Sequence, residues 1–229
     1  MNRLIIFSAD EYKKLLHHTK IKVLLVLTVL YAIAIGLRRS FLENKTGIEI
    51  KSPGRFPVFI LELLTGLALP VLVIFIVSEL FAAEFKDLTI KNLFALPVTK
   101  SIIYLGKLLA GAALLATILL VLAFSGLLVT AIISGIAAFA YVGSILISYM
   151  GAFVYLVTVM VIVSFFTLLT GSPNMSIAVN LLIWIVTGVA GTFVTSVRPY
   201  LPTSFSYWYQ PIVNQTNAAA AVPELLFIL

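Results

Sequence analysis

The sequence has no cysteine, only two histidines and very little charge. Without a thiol, disulfide staples and thiolate chemistry are both excluded. The histidines, His17 and His18, are adjacent and have no cluster of further ligands at metal spacing, so they read as part of a solvated or interfacial helix face. Charged residues make up 10% of the 229, where a soluble domain carries about a quarter. No paired carboxylates, no serine–histidine pair with an orienting acid and no G-x-x-x-x-G-K-[ST] nucleotide loop occur, which excludes the usual catalytic constellations and leaves the chain without its own ATP site. A cleavable leader is not expected either. The first twenty residues hold Arg3, Asp10, Glu11, Lys13, Lys14 and Lys20, and no short apolar core with a small-residue cleavage site follows.

What remains is apolar. Hydrophobic residues are 62% of the chain and the mean hydropathy is +1.15. The apolar runs exceed what a buried core needs, and they lack the two-residue alternation of barrel strands, so the chain reads as an all-α polytopic membrane protein. Its net charge of +6 comes from basic residues at span ends, where bilayer topology rather than nucleic acid asks for them.

An amphipathic interfacial helix is expected over 1–20, leading into six spans at about 21–37, 57–83, 102–133, 138–169, 177–197 and 217–229. The last run, AAAAVPELLFIL, is too short to cross and is read as an incomplete sixth helix. The side holding Arg3, Lys13, Lys14, Lys20, Lys22, Lys86, Lys91, Lys100 and Lys107 is richer in positive charge than the side with Arg38, Arg39, Lys45, Lys51, Arg55 and Arg198, placing the N-terminus in the cytoplasm. No internal repeat divides the chain, so one transmembrane domain spans 1–229.

The stretch ELFAAEFKDLTIKNLFALPVTKSIIYLGKLL, residues 79–109, interrupts the apolar runs. As a helix, it carries Phe85, Leu88, Asn92, Leu93 and Leu96 near one face, with Lys86, Asp87 and Lys91 away from it. Pro97 ends that helix, and Thr99 or Ser101 can cap the next. On pattern alone such a segment is an interfacial anchor or a docking element.

Glu79 and Glu84, the polar run to Leu96, the turn Pro97-Val98-Thr99-Lys100 and the entry Gly106-Lys107 resemble the same region of ABC transporter permease subunits of the type-2 exporter class. The likeness extends to the whole layout, although Asp87-Leu88-Thr89 stands where the family usually has Gly-Thr. The resemblance implies that residues 84–96 form a cytoplasmic coupling helix, with Glu84, Phe85, Lys86, Asp87, Leu88, Lys91, Asn92, Leu93 and Leu96 docking a separate ABC ATPase. It further implies a dimer of permeases, ATP and magnesium held only by the partner subunit, and a location in a bacterial cell membrane. Hydrophobic or amphipathic cargo follows on the same basis: a peptide, toxin, lipid-like molecule or drug, with peptide export or self-protection against an antimicrobial peptide favoured.

Two residues of the second span mark a possible substrate path. Glu62 is either a cavity-lining acid for a cationic group or an interfacial carboxylate near Arg55, and Pro70 is either a gating bend or a packing kink. The aromatic loop 200–209 reads first as a membrane-interface belt and second as a substrate vestibule. Two rivals stand beside the exporter: a secondary transporter, which would need several ionisable residues at midplane depth, and a non-transporting scaffold or assembly factor.

Overall fold

The computed structural model describes residues 3–17, 19–46, 56–82, 99–135, 141–194, 196 and 198–213. Among these residues every regular element is helical. Helix α1 (Arg3–His17) is followed by α2 (Thr19–Thr46), α3 (Phe56–Thr65) and α4 (Ala68–Val77), and α4 runs on into a π-helical turn, Ser78–Ala82. Then come α5 (Lys100–Ser134), α6 (Val142–Thr170), α7 (Pro173–Phe193), two single 3₁₀ turns at Arg198–Tyr200 and Pro202–Phe205, and a last turn α8 (Gln210–Val213).

Helix α5 is the mast of the bundle. Its 35 residues extend over about 50 Å, and α1, α2, α3 and α6 all pack along it. Ala110, Leu114, Ile118 and Leu122 form a buried stripe at four-residue steps. Helix α6 answers with Ile145, Tyr149, Ala152, Leu156, Val159 and Val163, alternating steps of four and three. Helix α4 closes the core with Val73, Ile74 and Val77, and α7 adds Trp184. Outward faces stay apolar: Leu120, Phe124 and Ile132 on α5, Phe165 and Leu169 on α6, and Leu182, Ile185 and Phe193 on α7 are exposed. A surface of that kind suits lipid rather than water.

Three helices are long and apolar enough to cross a bilayer on their own, Lys100–Ile132, Val142–Thr170 and Pro173–Phe193; the count rises to five if each of two bent pairs is one span. The third and fourth expected spans therefore match α5 and α6, apart from residues 138–140, which lie outside the described set. The expected sixth span, 217–229, lies wholly outside it.

Three boundaries differ from the sequence reading. Helix α2 continues through Arg38–Thr46, beyond the end of the expected first span at 37, because that polar stretch holds good helix formers and no glycine or proline before Gly47. The fifth span starts at Pro173 instead of 177 and ends at Phe193 instead of 197. Proline is suited to the first helical turn, and Gly171, at φ 67°, turns the chain out of α6 just before it.

The second span differs most. Residues 57–83 are not one helix but two, α3 and the α4/π-turn unit, bent by 58°. Pro70 explains where. Its ring clashes with the carbonyl four residues earlier and it has no N–H to give, so the helix opens at Gly66 and Leu67, one turn before the proline itself.

Helix α1 does not stand apart from the bundle. Phe7 sits in a notch at Gly106, where a Cβ would approach its ring to 2.5 Å, and the Tyr12 hydroxyl bonds Thr117 at 2.8 Å. At the other end of the molecule Gly151 admits the Tyr209 side chain, whose Cβ would lie 2.6 Å from an added methyl group. Backbone must move to relieve that contact, so Gly151→Ala is expected to lower stability by about 1–3 kcal/mol. Gly188→Ala, where the new methyl meets nothing within 4 Å, is expected to be neutral or stabilising. Thermal unfolding of the two purified variants checks the pair.

Candidate functional site

The proposed coupling residues Glu84, Phe85, Lys86, Asp87, Leu88, Lys91, Asn92, Leu93 and Leu96 lie outside the described residues. What the structure describes is the frame from which that segment leaves, at Ala82, and to which it returns, at Thr99.

The leaving end is the π-turn. Lys107, on the second turn of α5, is 2% exposed. Its Nζ donates to the Leu80 carbonyl at 2.6 Å and lies 5.6 Å from the centre of the Phe81 ring. The buried ammonium thus meets a backbone carbonyl and an aromatic face together. Phe81 also packs on Tyr104 at 5.6 Å between ring centres, and the Tyr104 hydroxyl bonds Ser164 of α6 at 2.9 Å. One cluster of side chains thus joins the end of the second span to the start of the third. Glu79 is half-buried in the same turn. At the returning end, Thr99 occupies the cap position of α5, but its side chain makes no capping bond. The amides of Ile102 and Ile103 bond its backbone carbonyl instead, which corrects the side-chain cap expected at this position.

Beneath the π-turn lies a polar network inside the bundle. Ser176 donates to Thr167 Oγ1 at 2.8 Å, so in the 2.8 Å pair with Ser78 the Ser78 hydroxyl is the donor. Asn180 Nδ2 donates to the Ser176 carbonyl at 2.9 Å and to Thr167 Oγ1 at 3.2 Å. Ser78, Thr167, Ser176 and Asn180 are all buried, and together they tie the π-turn to α6 and α7. The sequence reading passed over these four. Asn180, an amide within an apolar span, was the available signal.

The bend at Gly66 carries the second group. Glu62, half-buried, and the neighbouring Thr65 sit on the last turns of α3. Tyr207, from the aromatic loop, donates to the Glu62 carbonyl at 3.0 Å, and its hydroxyl lies 2.6 Å from where a Cβ on Gly66 would stand. Only glycine leaves room for that hydroxyl over the opened helix. Burial, followed by the negative charge of Glu62, pushes the Tyr207 phenol above its ordinary pKa, and the same two causes raise Tyr209. Trp208 anchors the loop by donating from Nε1 to the Gly151 carbonyl at 3.1 Å. The loop therefore bonds to both α3 and α6, with Phe205, Trp208 and Tyr209 buried and Tyr200 and Tyr207 exposed. Pro70 is buried in the first turn of α4. Arg55, the other proposed neighbour of Glu62, lies outside the described residues.

Ser176 is the hub of the lower network, accepting and donating at once. Ser176→Val is expected to destabilise the protein by about 1–2 kcal/mol, more than Ser206→Ala, whose hydroxyl makes only a local bond to Thr203. Unfolding by denaturant titration in mixed micelles reads the difference.

Comparison with known proteins agrees with the fold. Residues 9–187 match the family described as ABC-2 family transporter protein. No curated protein gives a significant match. The match covers most of the chain, from α1 into α7, including both the π-turn frame and the bend at Gly66, and the chain belongs to the ABC-2 family of transporter proteins.

Proposed function

We propose that this chain, a multi-pass membrane permease component of an ABC transporter, works as an exporter subunit in a bacterial cytoplasmic membrane, with its N-terminus in the cytoplasm, and that residues 84–96 are the coupling helix that docks a separate ABC ATPase. The observation that carries this reading is the clamp of Lys107 on Leu80 and Phe81. A segment that transmits force needs rigid feet. The charged segment leaves directly after the clamped π-turn and rejoins the helix that supplies the clamp, so a push on it reaches α4, α5 and, through Ser78 and Tyr104, α6 and α7.

In this mechanism Phe85, Leu88, Leu93 and Leu96 enter an apolar groove of the ATPase, while Glu84, Lys86, Asp87, Lys91 and Asn92 surround them as a polar rim that selects the partner. Two permease copies carry two such segments, and closure of the ATPase pair drives them together. The bend at Gly66–Leu67, set by Pro70, is the place where the second span can change angle, with Glu62 on the path beside it. The cargo is hydrophobic or amphipathic, with a peptide favoured.

Co-expression with stand-alone ABC ATPases of the same genome tests docking. One ATPase is expected to co-purify with the wild type. Leu93→Asp, which puts a charge into the apolar contact, is expected to reduce capture at least tenfold. Retained capture by the variant, or a change in membrane association alone, would show that the segment is an interfacial anchor.

A further inference from the structure

The bend in the second span holds polar groups that a hinge does not require. Tyr155 of α6 and Tyr209 of the inserted loop are 2% and 0% exposed; the Tyr155 hydroxyl has no hydrogen-bond partner among the described residues, and that of Tyr209 has at most a weak one in Thr65. Buried phenols so poorly paired are costly, and a ligand site accounts for them. They are not isolated. The Tyr207 hydroxyl is an electrostatic neighbour of both, and Tyr209 senses the Glu62 carboxylate and lies beside Thr65. Thr65 spends its own proton on the Leu61 carbonyl at 2.7 Å, so toward the cluster it offers lone pairs. Among the described residues no lysine or arginine pairs with Glu62.

One carboxylate, several hydroxyl acceptors, aromatic ring faces and the carbonyl end of α3 all favour a positive guest, and an anion would meet repulsion. We propose that Glu62, Thr65, Tyr155, Tyr207 and Tyr209 form a binding site for a primary ammonium group. Three N–H donors of an ammonium match the carboxylate and two phenol oxygens, and the phenols keep their own protons to donate onward to Glu62. Half-exposed Glu62 and Tyr207 form the mouth, and buried Tyr155 and Tyr209 form the floor.

The same Tyr209 is also a wall of an apolar groove of about 310 Å³, lined further by Leu146, Met150, Val154 and Trp208. A head site and a tail groove sharing one side chain fit a single molecule, an alkylammonium amphiphile. As a cargo site this rests on the transport reading above; as a binding site it does not.

The test uses the full-length permease in lipid nanodiscs, without ATPase, titrated with n-hexylammonium while intrinsic tryptophan fluorescence, to which Trp208 contributes, is followed. Saturable binding is expected for hexylammonium and not for hexanol or hexanoate. Glu62→Gln is expected to weaken it tenfold or more. Tyr209→Phe, which removes one hydroxyl and keeps the ring that packs on Gly151, is expected to weaken it about tenfold, and Tyr31→Phe on α2 is expected to leave it unchanged. Equal responses to the three hexyl compounds, or wild-type affinity in both Glu62→Gln and Tyr209→Phe, would overturn the site. Because no ATPase is present, lost binding with ATPase capture intact sinks the ammonium site alone, and lost capture with binding intact sinks the docking reading alone.

Discussion

A backbone carbonyl that loses its helical partner inside a membrane must find another donor, since the surrounding hydrocarbon offers none. This molecule breaks the regularity of its second span at two places, and at each a side chain from elsewhere donates to a backbone carbonyl. At the bend, Tyr207 reaches across from the aromatic loop to the Glu62 carbonyl. At the π-turn, Lys107 reaches from α5 to the Leu80 carbonyl. Both contacts bring a donor to irregular backbone inside the bundle.

These two contacts do different work. The Lys107 contact is a rigid one: the ammonium is buried, held by a carbonyl and an aromatic face, and backed by Tyr104, Ser164 and the Ser78–Ser176–Thr167–Asn180 network. Helices joined by that much hydrogen bonding move as a unit. The Tyr207 contact is a single neutral bond beside the Glu62 carboxylate. One end of the second span is therefore tied into the bundle by many bonds, and the other by few.

Much of this was legible in the residues. Long apolar runs without cysteine or alternation dictate membrane helices, and α5 and α6 begin and end within a few residues of where hydropathy places them. Pro70 announced a kink, although its clash acts on the carbonyl of Gly66 and so displaces the break by one turn. Glu62 stood out because a carboxylate in a span is costly. Its neighbours did not. Tyr155 and Tyr209 are separated from it by long stretches of chain, and an aromatic loop looks the same to a sequence reader whether it lines a membrane surface or dips into a bundle.

Composition and periodicity by themselves determined that the chain crosses a membrane and that its spans are helices, because hydropathy and period are local properties of the sequence. Only the tertiary structure decided which polar groups meet. The pairing of Lys107 with Leu80, of Ser78 with Ser176 and of Tyr207 with Glu62 joins residues far apart in the chain. Such contacts depend on which helix faces oppose one another and at what height, and packing sets that height through glycine notches such as Gly106 and Gly151, whose missing side chains carry no signal of the partner they admit.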